Sequence, residues 1–391
     1  MVRYVPFTEP LPTCKPIPRP PLSADEEAKY QEVLEYCKAI KELPVSSTDK
    51  TTMPLSDEEQ AWVTRECILR YLRATSWKVH DAEKRIEGSL IWRREYGVHK
   101  LTRDSVGVEN ESGKQVILGY DYNARPCLYL FPSRQNTEKS NRQIQHLVFN
   151  LERVIDFMPS GQENLALLID FKSSTNSKNP SVNQGRQVLH ILQTHYPERL
   201  GKALVINIPW FVWTFLKIIY PFIDPLTREK LVFSEPIDKY VPAEQLDAFF
   251  GGKSEFEYHH DKYWNAMCDI ADGKHKRYME RWKLLGGGVG LSEAALRAET
   301  DEEMEAEVKK VEALEQKAEA ELGSAPSSPQ SAPVAEPEAV VNLPSEMLGN
   351  DKTAEEAAAD LDAHHELGEK AMDADVMQQL QKVTIGAGSS A

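Results

Sequence analysis

Two short polar clusters bracket one apolar segment in the middle of the chain. The first, Tyr196-Pro197-Glu198-Arg199-Leu200-Gly201-Lys202, sets a carboxylate beside cations. Such a group orders the hydroxyls of a polyol or simply closes a salt bridge. The second, Asp224-Pro225-Leu226-Thr227-Arg228-Glu229-Lys230, reads as a helix start with Asp224 as cap and Pro225 at the first helical position. A helix N-terminus with the Thr227 hydroxyl and Lys230 nearby suits a phosphate. Taken singly, each cluster also has the look of a structural cap or ion pair. Between them runs Pro209 to Phe222, in which only Thr214 and Lys217 are polar, so a helix there is apolar all the way round. Such a helix is either buried on every side or in contact with lipid. Trp210, Phe211, Trp213, Phe215 and Phe222 with the single Lys217 make an interface composition, rings at headgroup depth and a lysine that snorkels. Prolines at both ends let the segment hinge as a unit. A core helix is the plain alternative, and the two flanking clusters favour a lid over an apolar cavity.

Covalent chemistry finds no support. The chain has no Walker phosphate loop, no GxGxxG after a strand, no GxSxG elbow and no HExxH. His259-His260-Asp261 falls short of the three or four converging groups that a metal needs, and His190 and His195 read as hydrogen-bonded histidines beside an apolar helix face. No catalytic residue and no metal site is assigned. Cys14, Cys37, Cys67, Cys127 and Cys268 are odd in number and widely spaced, which disfavours a disulfide framework and suits a reducing compartment.

The elements that must position these clusters follow from periodicity. Ser56 with Glu59 makes a capping box, and Ile68, Leu69, Leu72, Ile86, Leu90 and Trp92 recur at helical spacing up to Gly97, which predicts a small helical bundle. From Gln115 the period shortens: two strands around the Asn123-Ala124-Arg125-Pro126 turn open a second lobe. Helices over 142–158, 182–196, 210–220 and 225–230 then alternate with strands over 165–170, 203–208 and 231–233. Strands joined by helical crossovers imply an α/β lobe with a mostly parallel sheet, and the continuous apolar runs at 165–169 and 203–206 suit strands covered on both faces. Helices over 243–250 and 263–284 close the body.

Charge and aromatic content set the expected boundaries. The chain of 391 residues has a formal net charge of -15, and residues 291–391 hold 7 Lys and Arg against 23 Asp and Glu, so the rest is close to neutral. All of the aromatic residues precede position 291. An aromatic-free acidic stretch cannot bury enough apolar surface to offset its chain entropy. The expected organisation is therefore a Pro-rich, largely disordered arm with a short helix over 1–55, a helical lobe over 56–100 and an α/β lobe over 101–262. A closing helix over 263–285 and an acidic disordered tail over 286–391 complete it. The N-terminus lacks a signal-peptide pattern, and no apolar run reaches the ~20 residues of a membrane span. The expectation is a soluble cytoplasmic protein. Its near-neutral body lacks a polybasic anchor and gives no reason to expect a nucleic-acid partner.

The motifs Ile68-Leu69-Arg70-Tyr71-Leu72-Arg73-Ala74, Trp92-Arg93-Arg94-Glu95-Tyr96-Gly97, His195 to Lys202, Pro221 to Thr227 and Phe250-Gly251-Gly252 resemble the CRAL-TRIO lipid-binding family, in its fungal phosphatidylinositol-transfer type. The resemblance covers about Ser56 to Trp264. It implies a helical lobe on an α/β lobe whose sheet floors a lipid pocket, closed by a mobile gate over 210–222. It further implies that Glu198, Thr227 and Lys230, with Lys202 and Arg70 in weaker roles, hold an inositol headgroup. The family's Arg-Lys pair after the Leu-Arg-Ala segment is Thr75-Ser76 here. Polar pocket positions of phosphatidylcholine-binding members align with Leu128, Leu165 and Leu167, which with Val205 leave an apolar wall and remove choline recognition. The resembling branch is linked to azole tolerance and implies sterol as a less polar second ligand.

The residues and the resemblance together lead to the expectation of a non-enzymatic carrier that docks transiently on a membrane, opens the gate and takes in phosphatidylinositol, with no cofactor other than the lipid. A phosphoinositide kinase is an implied partner, and the endoplasmic reticulum, lipid droplets and cell periphery are all compatible membranes. The competing readings are a sterol or other apolar-ligand carrier and a lipid-sensing scaffold that works through its acidic tail.

Overall fold

The computed structural model describes residues 2–175, 182–220 and 223–323. The chain enters along an extended segment and reaches α1 (Ala24–Ala39), which Ser23 and Glu26 open with a reciprocal capping box. A short hairpin, β1 (Glu42–Pro44) and β2 (Thr52–Pro54), follows. Then come α2 (Asp57–Trp62), opened by the Ser56–Glu59 capping box, α3 (Arg65–Ala74) and α4 (Val79–Tyr96). Tyr30, Ile68, Leu72, Ile86 and Leu90 are fully buried together and make the core of this helical lobe. Each such side chain contributes about 1.5–3 kcal/mol by leaving water. Trp92, on the same periodic stripe, faces the other lobe instead, and its ring stacks on His195 at 4.1 Å.

After α5 (Arg103–Val106) the α/β lobe begins with the antiparallel pair β3 (Gln115–Tyr120) and β4 (Pro126–Leu130). Asp121 fixes their turn by accepting the N–H groups of Asn123 and Arg125, both at 2.9 Å. Next in order are α6 (Asn141–Asp156), β5 (Leu165–Asp170), α7 (Val182–His195), β6 (Leu200–Ile206), α8 (Trp210–Ile219), α9 (Pro225–Arg228) and β7 (Leu231–Phe233). The five-stranded sheet has the order β3-β4-β5-β6-β7, with every pair after the hairpin parallel, as crossovers through helices require. The long α10 (His260–Leu284) packs on α6 and fastens β3, because the Tyr263 hydroxyl donates to the Ile117 carbonyl at 3.0 Å and accepts its N–H at 2.5 Å.

Three boundaries differ from those read off the sequence. The N-terminal segment is packed rather than loose: Arg3 pairs with the backbone at Glu255 and Glu257, and Cys14, Tyr30 and Val33 are buried. The body also continues past the glycines at 286–290. Gly290 N–H donates to Val63 O, Arg65 N–H donates to Leu291 O, and α11 (Glu293–Arg297) buries Glu293, Ala295 and Leu296 before α12 (Asp301–Gly323) departs. Burial here needs no aromatic residue, because α11 docks on a core that already exists. Finally, the helix expected over 243–250 is only a single tight turn at Ala248–Phe250. Most of the acidic tail, from 324 on, lies outside the described residues. Among the described residues no helix is long and apolar enough to cross a membrane.

Candidate functional site

Parallel register gives one sheet face a row of aliphatic side chains. Leu128, Leu167, Ala203 and Leu231 are neighbours across β4 to β7, and Leu130, Ile169, Val205 and Phe233 form the next row on the same face. Leu165 lies two residues before Leu167 and shares that face. Leu128, Leu165 and Val205 are buried, whereas Leu167 and Ile169 are only half covered, although Ala166 and Leu168 between them are fully covered on the reverse face. The four sequence-assigned wall residues therefore belong to one apolar surface.

Helix α8 lies over this surface, since Trp213 packs on Phe233 at 5.2 Å between ring centres. Pro209 precedes its first turn, and Val212 is buried while Trp210 is 55% exposed and Lys217 is exposed. The helix thus has an inner side on the sheet and an outer side carrying Trp210 and Lys217. Phe211 is half-buried, Phe215 lies on the helix, and Phe222 falls outside the described residues.

The polar cluster sits where α7, β6 and α9 converge. Glu198 follows Pro197 in the left-handed region at φ 57, a conformation that costs a non-glycine residue about 1–2 kcal/mol, and its carbonyl is held by the Asn164 amide. Its carboxylate accepts a 2.6 Å hydrogen bond from Arg73 Nε. Three residues farther on, a Cβ at Gly201 would stand 2.5 Å from Arg125 Nε, so any larger residue would force that side chain to shift. Asp224 caps α9 by accepting the Thr227 N–H at 2.9 Å and also accepts from Gln193. Burial pushes the Asp224 carboxyl up, but the Thr227 bonds outweigh it and hold it below the usual range. That N–H is thereby engaged, and a helix of four residues offers no further anion cradle, which corrects the reading of α9 as a phosphate site.

Lys230 closes the cluster. Among the described residues its ammonium makes no ion pair within 4 Å and no hydrogen bond. Partial burial lowers its proton affinity, with Glu198 and Asp224 opposing and Arg19 and Arg125 reinforcing the shift. A cation held partly out of water without a partner is poised for an anion.

Two sequence-assigned residues lie elsewhere. Lys202 points to the reverse face of the sheet, where its ammonium lies 5.5 Å from the centre of the Tyr240 ring. Arg70 is buried and bonded to Glu163 at 2.9 Å and Glu293 at 2.8 Å, so its guanidinium is engaged between the lobes. Arg73, one helical turn after Arg70, is the arginine that reaches the cluster, and that i,i+3 spacing was its only signal in the sequence. Glu163, which receives both arginines, carried none.

Arg70 belongs to a chain of alternating charges running Glu198, Arg73, Glu163, Arg70, Glu293, and then Arg199 and Arg297. Burial would raise the Glu293 carboxyl, but Arg199, Arg70 and Arg297 hold it well below the ordinary value. A cavity of about 360 Å³ lies alongside, lined by Trp62, Arg93, Glu152, His195, His275 and Tyr278 among others. It separates the helical lobe from α6 and α10, away from the leucine wall. Its polar, ion-paired lining makes it an interface between lobes rather than an acyl-chain pocket. Among the described residues no group of three His, Cys, Asp or Glu side chains converges as metal ligands. His260 bonds Tyr258, and His195 lies 2.9 Å from Ser89 Oγ.

Known proteins resemble this chain over both lobes. Residues 29–88 match the N-terminal domain of the CRAL/TRIO type and residues 110–252 match the CRAL/TRIO domain. A CRAL-TRIO domain-containing protein of Schizosaccharomyces pombe is 56% identical over 276 residues, 71% of this chain but only 27% of that protein. The phosphatidylinositol transfer protein PDR17 of Saccharomyces cerevisiae is 42% identical over 301 residues, 72% of this chain and 86% of its own length. The SEC14 cytosolic factor of Candida glabrata is 28% identical over 214 residues, 49% of this chain and 71% of that protein.

Proposed function

The chain belongs to the CRAL/TRIO family, and from that membership we propose that it binds phosphatidylinositol under α8 and carries it between membranes without covalent chemistry. One observation carries the reading: the half-buried Lys230 ammonium, without an ion pair or hydrogen bond among the described residues, within reach of the Glu198 charge and in the same lobe as a leucine-walled sheet face under a helix whose only polar residues are Thr214 and Lys217. Lys230 meets the lipid phosphate, Glu198 and Thr227 meet inositol hydroxyls, and the acyl chains lie along Leu128, Leu165, Leu167 and Val205. A polyol esterified to a phosphate satisfies both a carboxylate and an ammonium, which a sterol hydroxyl cannot do.

The outer side of α8 supplies the way in. Trp210 and Lys217 meet the headgroup layer, and the helix swings away from Phe233 about its proline ends to admit the lipid. Release into a second membrane, or presentation to a phosphoinositide kinase, is the reverse motion. Residence is cytoplasmic and peripheral.

A second ligand class is favoured by the wall itself. No hydroxyl stands at Leu128, Leu165 or Leu167, so a bound choline lipid would leave polar groups unpaired. A less polar molecule of sterol type suits that face better.

Mass spectrometry of lipids that co-purify with the wild type, Lys230→Ala and Glu198→Ala proteins tests the reading. Phosphatidylinositol in the wild type and its depletion in both variants is the expected result. Sterol alone, or a predominance of phosphatidylcholine, would show that the polar cluster is structural.

A further inference from the structure

Arg19 reaches the Glu198 cluster from the N-terminal segment, far from every motif that marks the site. Its Nε lies 3.6 Å from Glu163 Oε1 and its Nη2 lies 3.6 Å from Glu198 Oε2, both longer than a hydrogen bond. Arg73, on the same two carboxylates, is bonded at 2.6 Å and 3.3 Å. Among the described residues Arg19 donates no hydrogen bond, and its side chain is 49% exposed against 19% for Arg73. Among the described residues neither Arg19 nor Lys230 makes a side-chain hydrogen bond, and Arg19 lies 3.6 Å from Glu198 while Lys230 is within reach of its charge.

We propose that the N-terminal segment is a wall of the headgroup site, and that Arg19 and Lys230 together hold the phosphodiester of the bound lipid. The proposal rests on the reading of Lys230 and Glu198 as headgroup residues. Like charges gathered at one rim repel, and Arg19 is among the groups that lower the proton affinity of Lys230. A shared anion relieves that repulsion and supplies acceptors to both sets of unused donors. An arginine suits the role because its fork can take two phosphate oxygens at once.

The segment is built to hold Arg19 in place. Upstream, Tyr120 donates to Thr8 O at 2.9 Å, Gln245 donates to Glu9 O at 2.8 Å, Lys274 pairs with Glu9 at 2.5 Å, and Cys14 is buried. Downstream, Ser23 caps α1. Between these anchors residues 15–22 bridge over the surface, and prolines at 16, 18, 20 and 21 stiffen the bridge around Arg19. A cation presented on a rigid strap loses little entropy when it binds.

Binding of fluorescent phosphatidylinositol from phosphatidylcholine vesicles to the full-length chain tests the proposal, with melting temperature recorded for each variant. Arg19→Gln is expected to weaken binding roughly tenfold and to flatten its salt dependence at unchanged melting temperature. Arg19→Lys should recover most of that loss, and Pro18→Gly, which keeps every charge, should weaken binding about threefold. Inorganic phosphate added to lipid-free protein separates the two sources of such an anion. If Arg19→Gln impairs only the binding of free phosphate, the lipid assignment fails. Wild-type lipid affinity in Arg19→Gln, with binding lost in Lys230→Ala, overturns the role of Arg19 and leaves the headgroup reading standing. Unchanged binding in both variants overturns both.

Discussion

Arginines and glutamates form two clusters that are joined in one chain of charges yet differ in kind. Between the lobes, Arg70, Arg199 and Arg297 all converge on Glu293; Arg70, Arg199 and Glu293 are buried, Arg297 is half-buried, and every member is engaged. Around Glu198, Arg73 is hydrogen-bonded, whereas Arg19 is ion-paired only at 3.6 Å and, among the described residues, neither it nor Lys230 donates a side-chain hydrogen bond at this half-exposed rim. Saturated buried charges keep a geometry, because removing one partner strands the others in a poor solvent. Unsaturated charges at a rim are available for a ligand. Residue type does not separate the two clusters; the count of unused hydrogen-bond donors does.

The largest effect should come from breaking the saturated cluster. Glu293→Ala leaves three arginines without their shared carboxylate and is expected to destabilise the fold by about 3–5 kcal/mol in urea denaturation. Unchanged stability would mean that α11 is not part of the body. In the open cluster the opposite pattern is expected. Lys230→Ala should weaken phosphatidylinositol binding by about tenfold or more while stability moves by less than about 0.5 kcal/mol. A large loss of stability in that variant would place Lys230 with the structural group.

A smaller effect sharpens the comparison through pH. His275 bridges Glu58 on α2 and Asp156 on α6, at 3.1 and 3.3 Å. Hydrogen bonds to Asp156 and Glu58 raise it to about 10. A raised histidine contributes its stability in full below its unfolded value near 6.5, and that contribution is lost as pH rises through 10. His275→Gln should therefore cost about 1 kcal/mol at pH 6, after discounting for the exposure of the pair, and progressively less toward pH 10. Melting curves of both proteins across that range check the sign. A difference that grows with pH would show that the bridge is not an ion pair.

Much of the fold was legible because it is written in local pattern. The runs at 165–169 and 203–206 became β5 and β6, the capping box at Ser56 opened α2, and the largely apolar run after Pro209 became α8. Chain entropy and side-chain periodicity act within a turn or two, so a sequence read alone can place such elements. Glu198, Thr227 and Lys230 were visible for the same reason, as polar groups beside apolar runs.

The state of each charge was not legible. Arg70 and Glu293 are 223 residues apart, and only the docking of α11 decides that this arginine is engaged. Arg19 lies in a Pro-rich stretch whose composition suggests disorder, yet anchors at Thr8, Glu9, Cys14 and Ser23 hold it beside Glu198. The sequence by itself determined which elements form and which faces are apolar, because those depend on near neighbours. Only the tertiary structure decided which charges are hydrogen-bonded to one another and which are left for the proposed ligand, because pairing depends on desolvation and on contacts between residues that the chain keeps far apart.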